Sequence, residues 1–106
     1  MKNIIISGPR CSGKTTISQS YTQLFEDSEV IQVSVDTIEN EWIKEIPTKD
    51  LYKLIVVDEC EYDAIPLITE IINLKFYKCN PLIIFITQDP VFADLQNEFV
   101  IYTTCK

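Results

Sequence analysis

A chain of 106 residues, 46% apolar and 24% charged, has room for one modest core, so residues 1–106 are expected to form a single domain; a multidomain enzyme and a disordered tail are excluded. A net charge of −7 and the absence of histidine argue against nucleic-acid binding through the general surface, and they exclude histidine triads, histidine metal sites and a histidine base. No apolar run nears the roughly 20 residues of a membrane span. The N-terminus is too short in apolar residues for a signal peptide, and the four cysteines (Cys11, Cys60, Cys79, Cys105) form neither a CxxC pair nor a zinc spacing, so a cytoplasmic protein with reduced thiols is expected.

In chain order, Asn3 to Ser7 reads as a short buried strand. Gly8-Pro9-Arg10-Cys11-Ser12-Gly13-Lys14-Thr15 follows and matches G-x-x-x-x-G-K-[ST] at every fixed position. Its two glycines are the only two in the chain. Behind it, Ile17, Tyr21, Leu24 and Phe25 fall at i, i+4, i+7 and i+8 and predict one apolar face of a helix. Strand, glycine loop and helix are the setting this motif requires. Such a loop turns backbone N–H groups inward and ends at a helix N-terminus, whose unpaired donors and dipole favour phosphate oxygens. Lys14 would supply positive charge to the β- and γ-phosphates, and the Thr15 hydroxyl would be a ligand to Mg²⁺.

On these residues the chain resembles the P-loop NTPases. Cys11 stands where many members carry glycine, and the loop looks closer to the RecA-like version, which accepts a small residue there. The resemblance implies a three-layer α/β fold with a five-stranded parallel sheet in the order 5-1-4-3-2 and helices on both faces. It also implies ATP as ligand, with Mg²⁺, on Gly8, Pro9, Arg10, Cys11, Ser12, Gly13, Lys14, Thr15 and Thr16.

Further along, Glu29 to Val35 predicts an apolar strand closed by Asp36. Ile38, Trp42 and Ile46 predict a short amphipathic helix ended by Pro47. Asp36 with Glu39 fits a capping box, and the alternative is a contact from Asp36 to a substrate or sugar. Leu54-Ile55-Val56-Val57-Asp58-Glu59 is an apolar run ending in two acids, as expected of a strand buried on both faces of a parallel sheet. Ligands bind at the carboxyl ends of such strands. A carboxylate there holds Mg²⁺ through water in related sites, and its neighbour can take a proton from an attacking water.

Asp63 is expected to open the next helix, with Pro66 tolerated in its first turn and Ile68, Ile71, Ile72 and Phe76 on its buried face. Asn80-Pro81 stops it. Leu82 to Ile86 predicts the fourth strand, ending in Thr87-Gln88; Asp89-Pro90 reads as a helix cap, and Phe99 to Thr103 as a fifth, short strand. Strand and helix thus alternate without repeats or low-complexity tracts. Cys11 and Cys60 would both border a bound nucleotide, where a helix N-terminus makes a thiol reactive, the alternative being two inert thiols.

Phe85-Ile86-Thr87-Gln88-Asp89-Pro90 is similar to the T-Q-x-P segment of the HerA/FtsK-type ATPases, which include the zonular occludens toxin-like phage assembly proteins. By resemblance to P-loop NTPases with an additional catalytic glutamate, Asp58 is the Mg²⁺ residue and Glu59 the general base. Gln88 would orient the water or sense the γ-phosphate, the alternative being an ordinary polar strand end. Lys14, Glu59 and Gln88 are therefore the candidate catalytic residues, and Thr15 and Asp58 the candidate metal ligands. The expected function is Mg²⁺-dependent ATP hydrolysis, slow unless a protein partner or a second copy supplies a cation. The alternatives are a nucleotide-dependent binding module with little turnover and, on weaker grounds, a small kinase. Kinases of this fold clamp phosphates with several arginines, and Arg10 is the only one here.

Overall fold

The structure, a computed structural model, describes residues 3–9, 13–34, 52–78, 80–90 and 97–104. The helix expected around Ile38, Trp42 and Ile46, with Asp36 and Glu39, lies outside these residues, as does any helix opened by Asp89-Pro90. Five strands are present: β1 (Asn3–Ser7), β2 (Val30–Ser34), β3 (Leu54–Asp58), β4 (Leu82–Thr87) and β5 (Phe99–Thr103). Helix α1 (Lys14–Thr22) follows β1, and α2 (Ile65–Lys75) lies between β3 and β4. The sheet runs β2-β3-β4-β1-β5, with every pair parallel. This is the order expected from the sequence, and it sets β4 between β1 and β3.

The register converts strand alternation into two apolar layers. One row crosses the sheet through Val33, Val57, Phe85, Ile5 and Ile101. That face carries Ile55 and Ile83 as well, and it is covered by Ile65, Ile68, Ile72 and Phe76 of and just beyond α2. The adjacent rows bring Ile4, Ile6, Leu54, Val56, Ile84 and Ile86 to the opposite face, against Ile17, Tyr21 and Phe25 from α1 and the turn after it. The three central strands are closed to water on both sides: Ile5, Ile6, Leu54, Ile55, Val57, Ile83, Ile84 and Phe85 are all fully buried. Each such side chain stabilises the fold by about 1.5–3 kcal/mol relative to exposure, which explains the near-continuous apolar runs in the sequence.

Element ends depart from the sequence reading in several places, among them the end of α2 at Lys75, short of Asn80-Pro81. Helix α1 stops at Thr22, and the Leu24 N–H donates to the Tyr21 carbonyl, three residues back. This tighter turn rotates Leu24 off the apolar face, so Leu24 is 74% exposed while Tyr21 and Phe25 pack inward. The second strand begins at Val30, because Glu29 closes a 3₁₀ turn whose reciprocal bonds with Glu26 form a capping box. The third strand ends at Asp58, and Glu59 turns away with φ 56°. Asp63 is not a cap: it lies in a 3₁₀ turn (Tyr62–Ala64), and α2 starts at Ile65 behind Ala64 without a side-chain cap. Pro66 does sit in the first turn, where its missing N–H costs nothing.

The amino edge of the sheet is tied by main-chain and charged contacts. The Lys53 N–H donates to the Glu29 carbonyl (2.8 Å), the Leu82 N–H to the Lys53 carbonyl (2.9 Å), and the Lys53 ammonium meets the Glu29 carboxylate at 2.7 Å. Among the described residues no helix is long and apolar enough to cross a membrane.

Candidate functional site

All strands being parallel, their carboxyl ends share one edge, and there the apolar pattern gives way to polar residues. β1 ends at Ser7, β3 at Asp58, β4 at Thr87 and β5 at Thr103. The candidate residues fall on this edge and on the loops leaving it, where open parallel sheets hold ligands.

The loop leaving β1 is anchored at both described ends. The Gly8 N–H donates to the Thr87 carbonyl at 3.2 Å, and Gly8 is buried against β4. Gly13 caps α1 in the left-handed region (φ 92°, ψ 12°), a conformation that side chains with a Cβ rarely adopt. Lys14, the first residue of α1, folds back toward the start of the loop. Its ammonium donates to the Gly8 carbonyl and, at 2.7 Å, to the Pro9 carbonyl. A cation is thus held at the mouth of the loop by the loop's own carbonyls. Arg10, Cys11 and Ser12 lie outside the described residues. Thr15 and Thr16 are exposed in the first turn of α1. Among the described residues this turn has no side-chain cap and no acidic residue of its own, a composition that suits an anion at its N-terminus.

Asp58 and Glu59 stand at the end of β3. Strand alternation sets Asp58 on the same face as Val56, Ile6 and Ile86, which is the face covered by α1. Both acids are exposed. One Asp58 oxygen accepts the Glu59 N–H at 2.8 Å, and this local bond accompanies the left-handed backbone of Glu59. Gln88 is exposed just after β4, between the end of β1 and the end of β3. The structure therefore gathers Gly8, Lys14, Thr15, Asp58, Glu59 and Gln88 at one edge of the sheet. Among the described residues no group of three or more Cys, Asp and Glu is arranged to hold a metal ion. Mg²⁺ bound with a nucleotide needs only one or two protein oxygens, since phosphates and water complete its octahedron.

Two features come from tertiary contacts. The segment that Asp89 was expected to cap lies outside the described residues, and Asp89 Oδ2 accepts the Tyr62 N–H at 2.9 Å, across 27 positions of sequence. Its carbonyl accepts the Ser7 hydroxyl at 2.6 Å, and its N–H donates to Thr87 Oγ1 at 3.1 Å. The sequence signal was the pair of hydroxyls, Ser7 and Thr87, that close two apolar runs. They are register partners, and both are buried.

The second feature is Cys60. Of the two readings open for it, a reactive thiol beside the ligand or an inert one, the structure favours the second: it is 2% exposed, its N–H donates to the Ile86 carbonyl (3.0 Å), and its thiol donates to the Glu61 carbonyl (3.4 Å). Burial, reinforced by the charges of Glu61 and Asp89, pushes the thiol pKa up to about 12. Cys60 is a structural core thiol and not a nucleophile.

No protein-family model matches the chain, and a comparison with curated proteins finds no match to it.

Proposed function

We propose that the chain is a minimal P-loop NTPase that binds ATP with Mg²⁺ on residues 8–16 and hydrolyses it slowly. The observation that carries this reading is the junction of loop and helix. Gly13 in the left-handed region leads into an α1 terminus free of side-chain cap and acid, with the Lys14 ammonium at the loop mouth. That junction offers N–H donors, a helix dipole and a cation to one anionic group, the combination phosphate oxygens favour.

The residues present fit the ligand. In binding, Lys14 would exchange its carbonyl contacts for phosphate oxygens, so the charge is already near the position it must occupy. Thr15 and Asp58 are hard oxygen donors at the same edge and would hold Mg²⁺, which when bound neutralises charge on the β- and γ-phosphates. Glu59 would take the proton from the attacking water, and Gln88 would orient that water through its amide.

The test is a titration with fluorescent ATP and GTP analogues, with steady-state hydrolysis measured on the same sample. ATP is expected to bind with micromolar affinity, about −8 kcal/mol, and Lys14→Ala to remove most of it. Equal ATP binding by Lys14→Ala would reject the site. Tight binding with no turnover, unaffected by Glu59→Gln, would make the chain a nucleotide-dependent binding module.

A further inference from the structure

We infer that Asp89 is the positioning residue of this site: it fixes the three strand ends that carry the phosphate loop, Gln88 and Glu59 relative to one another. The inference rests on the ATPase reading above and deepens it.

Ser7 immediately precedes Gly8 and the loop, and its hydroxyl donates to the Asp89 carbonyl. Thr87 immediately precedes Gln88, and its hydroxyl accepts the Asp89 N–H. Tyr62 lies three residues past Glu59, and its N–H donates to the Asp89 carboxylate. Two main-chain bonds complete the lattice, from Gly8 to the Thr87 carbonyl and from Cys60 to the Ile86 carbonyl. Among the described residues only the bond to Tyr62 uses the Asp89 side chain, so substitution there cuts the β3 branch.

That branch matters because β3 ends at Asp58, and the next residues must hold Glu59 in a left-handed conformation that its Cβ resists. An Asp-to-N–H bond on one side (Asp58 to Glu59) and another further along (Asp89 to Tyr62) bracket the residue. Removing the second leaves the partly buried Tyr62 N–H without its charged acceptor and lets the Glu59–Glu61 turn relax. The bonds beside the phosphate loop use main-chain acceptors and persist in that case, from the Gly8 N–H to the Thr87 carbonyl and from the Ser7 hydroxyl to the Asp89 carbonyl. Asp89 should therefore govern turnover more than nucleotide affinity.

The experiment compares Asp89→Ala and Asp89→Asn with the parent, measuring MgATP affinity, kcat, thermal midpoint and amide hydrogen exchange. Asp89→Ala is expected to lower kcat about tenfold or more, the scale of a small misplacement of a catalytic group. Its ATP affinity should stay within about threefold of the parent, since ground-state binding is unaffected. Exchange should speed up at Tyr62 and Cys60 but not at Gly8. Asp89→Asn keeps an acceptor oxygen and should recover most of kcat. Unchanged kcat in Asp89→Ala, with the parent active, overturns this proposal and leaves the ATPase reading intact. So does a loss of affinity and kcat in step with a fallen midpoint and faster exchange throughout the sheet, because that marks a general structural role. A parent that binds no nucleotide overturns the ATPase reading and this proposal with it, whatever the exchange pattern.

Discussion

Glu59 combines the proposed base with an unfavourable backbone, and the two can be separated by substitution. A non-glycine residue at φ 56° carries a steric cost of about 1–2 kcal/mol. Glu59→Gln keeps that cost and removes only the carboxylate, so turnover should fall about 10²–10⁴-fold while ATP binding and the thermal midpoint stay put. Glu59→Gly should be as inactive but should melt a few degrees higher, about 4–8 °C per kcal/mol for a domain near this size. Loss of binding together with turnover in Glu59→Gln would assign the side chain a structural role. Cys60 gives a second prediction at this scale. Its thiol pKa is raised from 9.0 to about 12, so the folded state holds the proton more tightly than the unfolded chain. That contribution is complete below about pH 9 and is lost as pH rises toward 12, at up to about 1.4 kcal/mol per pH unit. Tyr21, raised to about 12 chiefly by its hydrogen bond with Tyr102 and then by burial, has an exposed hydroxyl, so solvent screening leaves it a smaller loss, and only above pH 10. Urea unfolding between pH 8 and 10 should therefore show the gap between parent and Cys60→Ala narrowing; a constant gap would contradict the assignment.

Elements differ in how firmly they are held, and α2 is the stronger of the two described helices. Ile65, Ile68, Ile72 and Phe76 are at most 2% exposed, whereas α1 fully buries only Ser18 and leans on the sheet through half-buried Ile17 and Tyr21. Ile72→Ala should cost about 2–5 kcal/mol through lost burial and the cavity left behind. Leu24→Ser, beyond the end of α1, should change stability by no more than about 0.5 kcal/mol. Urea midpoints for the two variants check both statements. The weaker packing of α1 fits the proposed site, because a helix whose first turn took a ligand would gain order on binding. Tyr21 also meets Tyr102 edge to face, with ring centroids 6.2 Å apart, and thereby ties α1 to the edge strand β5.

For the whole molecule, the limiting resource is cationic charge. Transition-state charge on a transferring phosphoryl group is commonly offset by an arginine, worth about 10³–10⁵ in rate. Arg10 is the only arginine in the sequence, and it lies inside the loop motif. A lysine can substitute as a point charge but lacks the planar fork. The isolated chain should therefore turn over at about 10⁻² s⁻¹ or below, with acceleration requiring a partner or a second copy that contributes a cation in trans. Specific activity measured over a wide range of protein concentration, beside size-exclusion of the same samples, checks this. Turnover near 10 s⁻¹, about the median for enzymes, in a dilute monomer would refute it.

Much of the architecture was legible because its causes are local. Apolar runs bounded by Gly, Pro and Asp define β1, β3 and β4 nearly to the residue, since strands buried on both faces tolerate little else. Two glycines and a lysine at fixed spacing mark the loop, because the conformation at Gly13 is a property of one residue. The strand order was read through a resemblance, and the register now bears it out. What tertiary structure alone decided are the contacts whose partners are far apart in sequence. The Asp89 carboxylate reaches Tyr62, because parallel strands bring the ends of β3 and β4 side by side. Cys60 could be read as reactive or inert, and the turn at Glu59 takes it into the core. Leu24 satisfied the helical period, but the period had ended at Thr22. A sequence pattern records which residues prefer burial or a turn; which of them meet is set by the strand order and register that bring distant ends together.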